Sequence, residues 1–338
     1  AALWNGATWA YMGSRYIACT SVAETATGEL LAAGQSGFRW LLRWNGQDWT
    51  AVPGVSVRAL SVTKGPGSAT WLTTDEGGSG GTPITTIAAF EDGIVRNVGE
   101  EMHGYFAGFN ATTSGRFIGF GQFWSSASGA IGIGEWNGVN WQALPGPALT
   151  SRIFDPDPSV SEVERATVAD VLTLGDGSLV VGGDFRRAGS TILKSVGKWN
   201  GSQWLPLGGG VEGATPDSAA FVTSLALLSN GNVVIGGNFT TAGGVVSPYL
   251  ARWNGVRWST VGTGVNGNVY DMVVLANGDL VVAGTFSTAG GIPVSNCARW
   301  NGTRWFPFGS FAYSGGNGAG VFTLLRMPNG EIVASGNF

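Results

Sequence analysis

Six copies of one pattern, Trp-Asn-Gly-x-x-Trp, dictate most of what this chain can become. They begin at Trp4, Trp44, Trp136, Trp199, Trp253 and Trp300, and close on Trp9, Trp49, Trp141, Trp204, Trp258 and Trp305. Asn-Gly between two apolar runs favours a two-residue hairpin turn, because both turn residues need φ > 0. Such a turn sets Trp253 opposite Val256, Arg252 opposite Arg257 and Ala251 opposite Trp258. Both indoles of a copy then share one face as diagonal neighbours. A ribbon with two bare indoles on one face is unstable alone, so each copy needs a covering neighbour. A repeat supplies it.

The full repeat is longer than the hexapeptide. VTSLALLSNGNVVIGGNFTTAGG (222–244) runs on into YLARWNGVRWSTVGTG, and VYDMVVLANGDLVVAGTFSTAGG (269–291) into CARWNGTRWFPFGS. VADVLTLGDGSLVVGGDFRRAGS (168–190) runs on into VGKWNGSQWLPLGGG. Each unit has four β-like runs, here A to D. Runs A and B are joined by an Asn-Gly or Asp-Gly turn, B ends in GGxF, and C and D flank the Trp-Asn-Gly turn. Four short strands in 40–50 residues mark a β-propeller blade. Composition agrees: of 338 residues 57 are Gly and only 12% are charged, while 15 Trp and 17 Phe supply apolar area.

Counting C–D ribbons gives seven, if Phe90-Glu91-Asp92-Gly93 stands as a degenerate copy. The chain starts with a C–D pair in residues 1–14 and ends with an A–B pair in LLRMPNGEIVASGNF (324–338). The expectation is an all-β, seven-bladed propeller of four-stranded blades over 1–338. The N-terminal C–D and C-terminal A–B strands share one blade and so remove a free edge. From the Phe of GGxF to the next Trp-Asn-Gly is 14 residues in regular copies (185 to 199), but only four from Phe338 round to Trp4. The break falls in a B–C loop, as in a domain taken from a longer chain. Residues 59–135 are irregular, and 143–167 read as an outward insert rich in Pro and acid.

NGxVVxGGxFTTAGG followed by ARWNGxxWxxLGxG resembles the repeats of secreted bacterial propeller proteins. It is also similar to the propeller of the fungal cortical marker of cell polarity, and distantly to kelch repeats. The resemblance covers 168–338 and 1–14 well and 59–135 poorly. It implies a propeller in an extracellular or cell-surface setting, with a scaffold or recognition role and no catalytic motif.

Several function classes fall away. A net charge of −4 and a pI near 5.1 oppose a nucleic-acid backbone as partner. No apolar run nears the ~18 residues of a membrane helix. No signal peptide and no initiator Met are in view, so any targeting segment has been removed or lies outside this sequence. No cofactor is expected. Asp155, Asp157, Glu162 and Glu164 offer the oxygen ligands that Ca²⁺ favours, but match no EF-hand spacing, and read as a solvated loop. Cys19 in a run A and Cys297 in a run C have a blade between them, which opposes a disulfide and leaves buried thiols. Asp170 and Asp271 share one place in run A with Ser21, Ser224 and Thr323, and Gly108 breaks the series. These polar groups either bind a cation or water cluster at the channel or bond backbone; the second is the simpler expectation. Of the sequons at Asn110, Asn200, Asn238 and Asn301, Asn200 and Asn301 sit in tight turns and are poor acceptors.

A recognition surface is expected on the variable B–C and D–A loops, held by a rigid scaffold. Three Trp lie outside the repeat: Trp40, Trp71 and Trp124. Trp71 sits in a strand-like run and reads as core. Trp40 and Trp124 approach the loop rim, unless they extend the core. Arg39 adjoins Trp40, Asp75 and Glu76 fall in a B–C region, and His103, the only His, is placed in a D–A loop. Trp40, Trp124, Arg39, Asp75, Glu76 and His103 form the candidate site, for a protein or a glycan. The expected function is non-enzymatic: scaffolding, adhesion or protein interaction. The alternatives are a carbohydrate-binding module and a polysaccharide-active lyase or hydrolase.

Overall fold

The computed structural model describes residues 1–13, 19–34, 41–53, 55, 58–65, 69–75, 84–99, 102–112, 115–124, 129–151, 166–215, 220–311 and 320–338. All helix-or-strand structure among them is β. Two compact units emerge: Ala1–Val98 with Gly262–Phe338, and Gly99–Val261.

The first unit opens with a hairpin of β1 (Ala2–Trp4) and β2 (Trp9–Tyr11). β3 (Cys19–Glu24), β4 (Leu30–Gly34), β5 (Leu41–Trp44) and β6 (Trp49–Ala51) pair antiparallel in chain order. β7 (Arg58–Lys64), β8 (Thr70–Asp75), β9 (Ile84–Glu91) and β10 (Ile94–Asn97) do the same.

The second unit begins with β11 (Met102–Ala111), β12 (Phe117–Trp124), β13 (Ile131–Trp136) and β14 (Trp141–Ala143), again in order. β15 (Leu149–Thr150) follows. Then come β16 (Thr167–Thr173), β17 (Leu179–Asp184), β18 (Arg187–Ala188), β19 (Thr191–Ile192), β20 (Val196–Trp199) and β21 (Trp204–Pro206). β16-β17-β20-β21 form the sheet, while the B–C loop folds into the hairpin β18–β19, which pairs with β15. The next copy repeats this with β22 (Val211–Glu212), β23 (Phe221–Leu227), β24 (Val233–Asn238), β25 (Thr241–Ala242), β26 (Val245–Val246), β27 (Leu250–Trp253) and β28 (Trp258–Thr260).

The chain returns to the first unit with β29 (Val269–Val274), β30 (Leu280–Gly284), β31 (Thr288–Ala289), β32 (Ile292–Pro293), β33 (Cys297–Trp300) and β34 (Trp305–Pro307). β35 (Gly320–Arg326) and β36 (Ile332–Asn337) come last. As expected, the two ends of the chain share a sheet, in the order β2-β1-β36-β35, with Trp4 opposite Ile332.

The Trp-Asn-Gly turn differs from its expected form. Trp253 stands directly opposite Trp258, Arg252 opposite Ser259 and Ala251 opposite Thr260. The loop therefore has four residues, Asn254 to Arg257, and only Gly255 has positive φ, at 93°. The Asn side chain is the cause. Asn254 Oδ1 accepts the N–H groups of Val256 at 3.0 Å and Arg257 at 2.9 Å, which closes the longer loop. Asn5, Asn45, Asn137, Asn200 and Asn301 do the same. Among the described C–D turns, a two-residue turn forms only at the degenerate copy: Glu91 pairs with Ile94, leaving Asp92 and Gly93 at φ 50° and 78°.

Direct opposition brings the indoles together. Ring centroids are 5.3 Å apart in Trp253–Trp258 and in Trp300–Trp305. Each pair packs on a glycine of the preceding D–A connection. A Cβ on Gly208 (φ +56°) would lie 2.2 Å from Trp253, and one on Gly262 (φ +58°) 2.6 Å from Trp300. The indole N–H of Trp258 donates to Leu207 O at 3.1 Å, and that of Trp9 to Phe308 O at 3.2 Å. None of the twelve repeat Trp is exposed. Burying one such ring contributes roughly 4–6 kcal/mol of gross hydrophobic free energy.

Run A carries a β-bulge in every four-stranded set. In β23 it falls between Val222 and Ser224. The partner strand must approach closely there: a Cβ on Gly237 would lie 2.2 Å from Phe221 O. That contact explains the second glycine of GGxF. The polar residue after the bulge bonds backbone. Asp170 Oδ1 accepts from Val171 N and Oδ2 from Leu225 N of the next sheet, both at 2.7 Å. Asp271 does the same with Met272 N and Leu324 N, and Ser21 Oγ accepts from Val62 N at 2.7 Å. At Gly108 the series breaks as expected, and Asn110 reaches across instead, donating to Val171 O at 2.6 Å.

Candidate functional site

The hairpin β11–β12 departs most from the repeat. Its strands have ten and eight residues. The bulge falls between Phe106 and Gly108, so five residues, Met102 to Phe106, precede it; in β23 only Phe221 and Val222 do. The hairpin is thus about three residues longer on the B–C side. Its alternation is strict. Met102 and Phe106 are buried, and the Phe106 ring stacks on Phe123 with centroids 4.1 Å apart. The other face carries His103 opposite Trp124 and Tyr105 opposite Gln122. Gly104 lies between them at φ +107°, where a Cβ would meet Gln122 O at 2.1 Å.

Here the structure brings two expected site residues together. The His103 imidazole stacks on the Trp124 indole, centroids 4.9 Å apart and planes 23° off parallel. Both are half-buried, Tyr105 is 50% exposed and Gln122 is exposed. An indole, an imidazole, a phenol and an amide form a flat, amphipathic platform. It offers stacking area and hydrogen-bonding groups at low conformational cost, which suits recognition. No carboxylate, thiol or aliphatic hydroxyl stands among these four residues.

His103 lies in a strand, not in the D–A loop expected for it. The period-2 pattern of Met102, Gly104 and Phe106 against His103 and Tyr105 overrides the turn-like Gly. Asp75 is likewise the last residue of β8, opposite Arg58 and Thr85, in the first unit. Arg39, Trp40 and Glu76 lie outside the described residues, as do Asp155, Asp157, Glu162 and Glu164. Trp71 is core, 4% exposed. Cys297 in β33 is buried, and burial pushes its thiol far above the usual range; Cys19 lies in β3, a first strand, as expected. Both carboxylate oxygens of Asp170 and of Asp271 accept backbone N–H groups, which is the simpler of the two expectations.

Tyr105 and Gln122 were missed, although MHGYFAGF alternates visibly. A second aromatic pair was missed too. Tyr270 and Phe322 occupy the bulge positions of β29 and β35, edge to face with centroids 5.5 Å apart, and Phe322 is 45% exposed. Regular copies hold Ala169 and Thr223 there, and that contrast was the available signal.

A family model described as a domain of unknown function (DUF5122) beta-propeller matches residues 228–255, from the A–B turn of one copy to its Trp-Asn-Gly. No curated protein matches the chain. Among solved structures, the extracellular domain of BT4673 from B. thetaiotaomicron aligns over 97% of this chain at 10% identity, with a TM-score of 0.62. The chain spans 38% of that structure's length. YCF48 from Cyanidioschyzon merolae aligns over 98% of this chain and 97% of its own at 13% identity, with a TM-score of 0.53. At such identities the likeness extends to the fold. Four-stranded antiparallel sheets, a matched propeller repeat and these two likenesses together make the architecture that of a β-propeller.

Proposed function

We propose that the chain is a seven-bladed propeller closed by the terminal sheet, and that it works outside the cell or at its surface as a non-enzymatic recognition module for a protein partner. The four-stranded sets are β2-β1-β36-β35, β3–β6, β7–β10, β11–β14, β16-β17-β20-β21, β23-β24-β27-β28 and β29-β30-β33-β34. Their number supports the blade count. The likeness to an extracellular domain supports the location. The observation that carries the reading is the lengthened β11–β12 hairpin, which holds a stacked His103–Trp124 pair beside exposed Tyr105 and Gln122. A glycan reading draws on the same platform, since an indole face beside an amide also suits a sugar.

A peptide-display library and a glycan array, with product release from polysaccharides measured in parallel, test this. Peptides should be enriched on the wild type and lost at least tenfold on the Tyr105→Ala, Trp124→Ala double variant at unchanged Tm. Equal enrichment on both proteins refutes the platform, capture of glycans alone moves the reading to a lectin, and product release makes the protein an enzyme.

A further inference from the structure

The first unit contains two grooves at equivalent places, between the turn ends of consecutive sheets. One lies between β3–β6 and β7–β10, has a volume of about 600 Å³, and is lined in part by Glu29, Arg43, Phe90, Glu91 and Asp92. The other lies between β29-β30-β33-β34 and the terminal sheet, has a volume of about 470 Å³, and is lined in part by Trp4, Asn277, Arg299, Phe308 and Arg326. The correspondence is residue by residue. Arg43 and Arg299 each precede the first Trp of their hairpin, Trp44 and Trp300, and Phe90 stands where Trp4 does. The charge is opposite. The first wall sets three carboxylates against one guanidinium, whereas the second has two guanidinium groups and no carboxylate among its lining residues.

The two arginines of the second groove differ. Arg299 is fixed: Nη1 donates to Asp279 Oδ2 at 2.6 Å and the guanidinium stacks on Phe306, 4.8 Å from the ring centre. Arg326 is exposed on β35 and makes no ion pair with any described residue. Trp4 packs on Phe308, centroids 4.6 Å apart, and on Trp9 at 5.6 Å, and still lines the cavity. Gly6 and Gly330 stand at the two turns beside it, so no side chain from those positions covers the opening. Asp279 offsets Arg299, so Arg326 supplies the positive charge of this cavity of small-molecule size.

We propose that this groove binds an acidic saccharide, with a uronate carboxylate paired to Arg326 and a pyranose face resting on Trp4. A guanidinium fork matches a carboxylate through two parallel N–H···O bonds. An indole presents a flat apolar face to the axial C–H groups of a sugar ring while polar groups at the rim take its hydroxyls. An acidic peptide satisfies the arginine but leaves that face uncovered. The groove shares no residue with the β11–β12 platform, and its ligand is of another class.

Calorimetric titration of the full chain with trigalacturonate, its methyl ester and hexaglutamate at low salt tests this. Trigalacturonate should bind and shift the Trp4 indole N–H resonance, identified by its loss in Trp4→Phe. The ester should bind at least tenfold more weakly. Arg326→Gln should weaken trigalacturonate about tenfold and Arg326→Glu abolish it, with Tm unchanged because the side chain is exposed. The proposal is overturned by absence of binding, by equal binding of acid and ester, by indifference to Arg326, or by hexaglutamate binding as tightly as the sugar.

Discussion

The sheet β23-β24-β27-β28 and the run β7–β10 have the same strand order and the same bulge in the first strand, yet different chemistry holds them. In the first, two indoles face each other, a glycine seats them, an Asn caps the turn, and Gly237 lets the bulge close. In the second, hydroxyls take over. Ser61 and Thr73 share a hydrogen bond of 2.7 Å, and Thr74 and Thr86 one of 2.6 Å, all four residues buried. Phe90 faces Val95 where two Trp would meet, and Thr74 stands where Gly237 does. The comparison separates two roles. Strand pairing and the bulge make the sheet, whereas the Trp-Asn-Gly motif governs how one sheet seats on the next.

The largest test of that distinction is Trp258→Ala. It removes a buried ring and one of two hydrogen bonds to the Leu207 carbonyl, which keeps the Gly210 N–H at 3.1 Å, and should cost ~3–5 kcal/mol in denaturant unfolding. A loss below about 1 kcal/mol would mean that the motif does not seat the sheets. Next comes Thr74→Val, which leaves the Thr86 hydroxyl without its 2.6 Å partner and should cost ~1–3 kcal/mol. The double variant Thr74→Val, Thr86→Val should recover much of that loss, because removing both polar groups is less costly than removing one. If the double variant is worse than either single one, hydroxyls are not what replaces the indoles. Asn254→Ala should cost about 1 kcal/mol, and Asn254→Asp should retain most of it, since a carboxylate oxygen accepts the same two amides.

The smallest effect concerns pH. Asp176, in the A–B turn of β16–β17, is held at about 2, first by the Ser178 hydroxyl, then by the Ser178 N–H and by Lys198. A depressed carboxyl stabilises the fold above its unfolded value, near 3.9, and loses that contribution as pH falls towards 2. Its NMR titration midpoint should sit near the low value, and Asp176→Asn should flatten this slight acid dependence. A midpoint near 4 would leave the turn without its charge cap.

Much of the architecture was legible because glycine, aromatic and turn residues recur at fixed offsets. The shared sheet of the chain ends follows from the incomplete repeats at residues 1–14 and 324–338. The turn register was misread because a dipeptide rule ignores the side chain: Asn254 binds the amides it precedes and lengthens the loop. The candidate platform was half visible. His103 and Trp124 stood out separately, but their stacking depends on a strand register that no local pattern encodes. Tyr105 escaped because β11 begins at Met102, inside the stretch around His103 that reads as a loop.

The pairing of β1 with β36 also sets a clock. Residues 1–11 are synthesised well before β35, which begins at Gly320. At about 5–20 residues per second, roughly 15–60 s of synthesis separate the two halves of one sheet. Throughout that interval β1–β2 is a lone two-stranded ribbon, a form marginal in water, with its outer edge open to any passing strand. The contact from Trp4 to Ile332 joins residues far apart in sequence, so this sheet completes late and slowly. Protection of the nascent N-terminal edge, rather than the stability of the finished fold, then governs how much of this protein matures without aggregating.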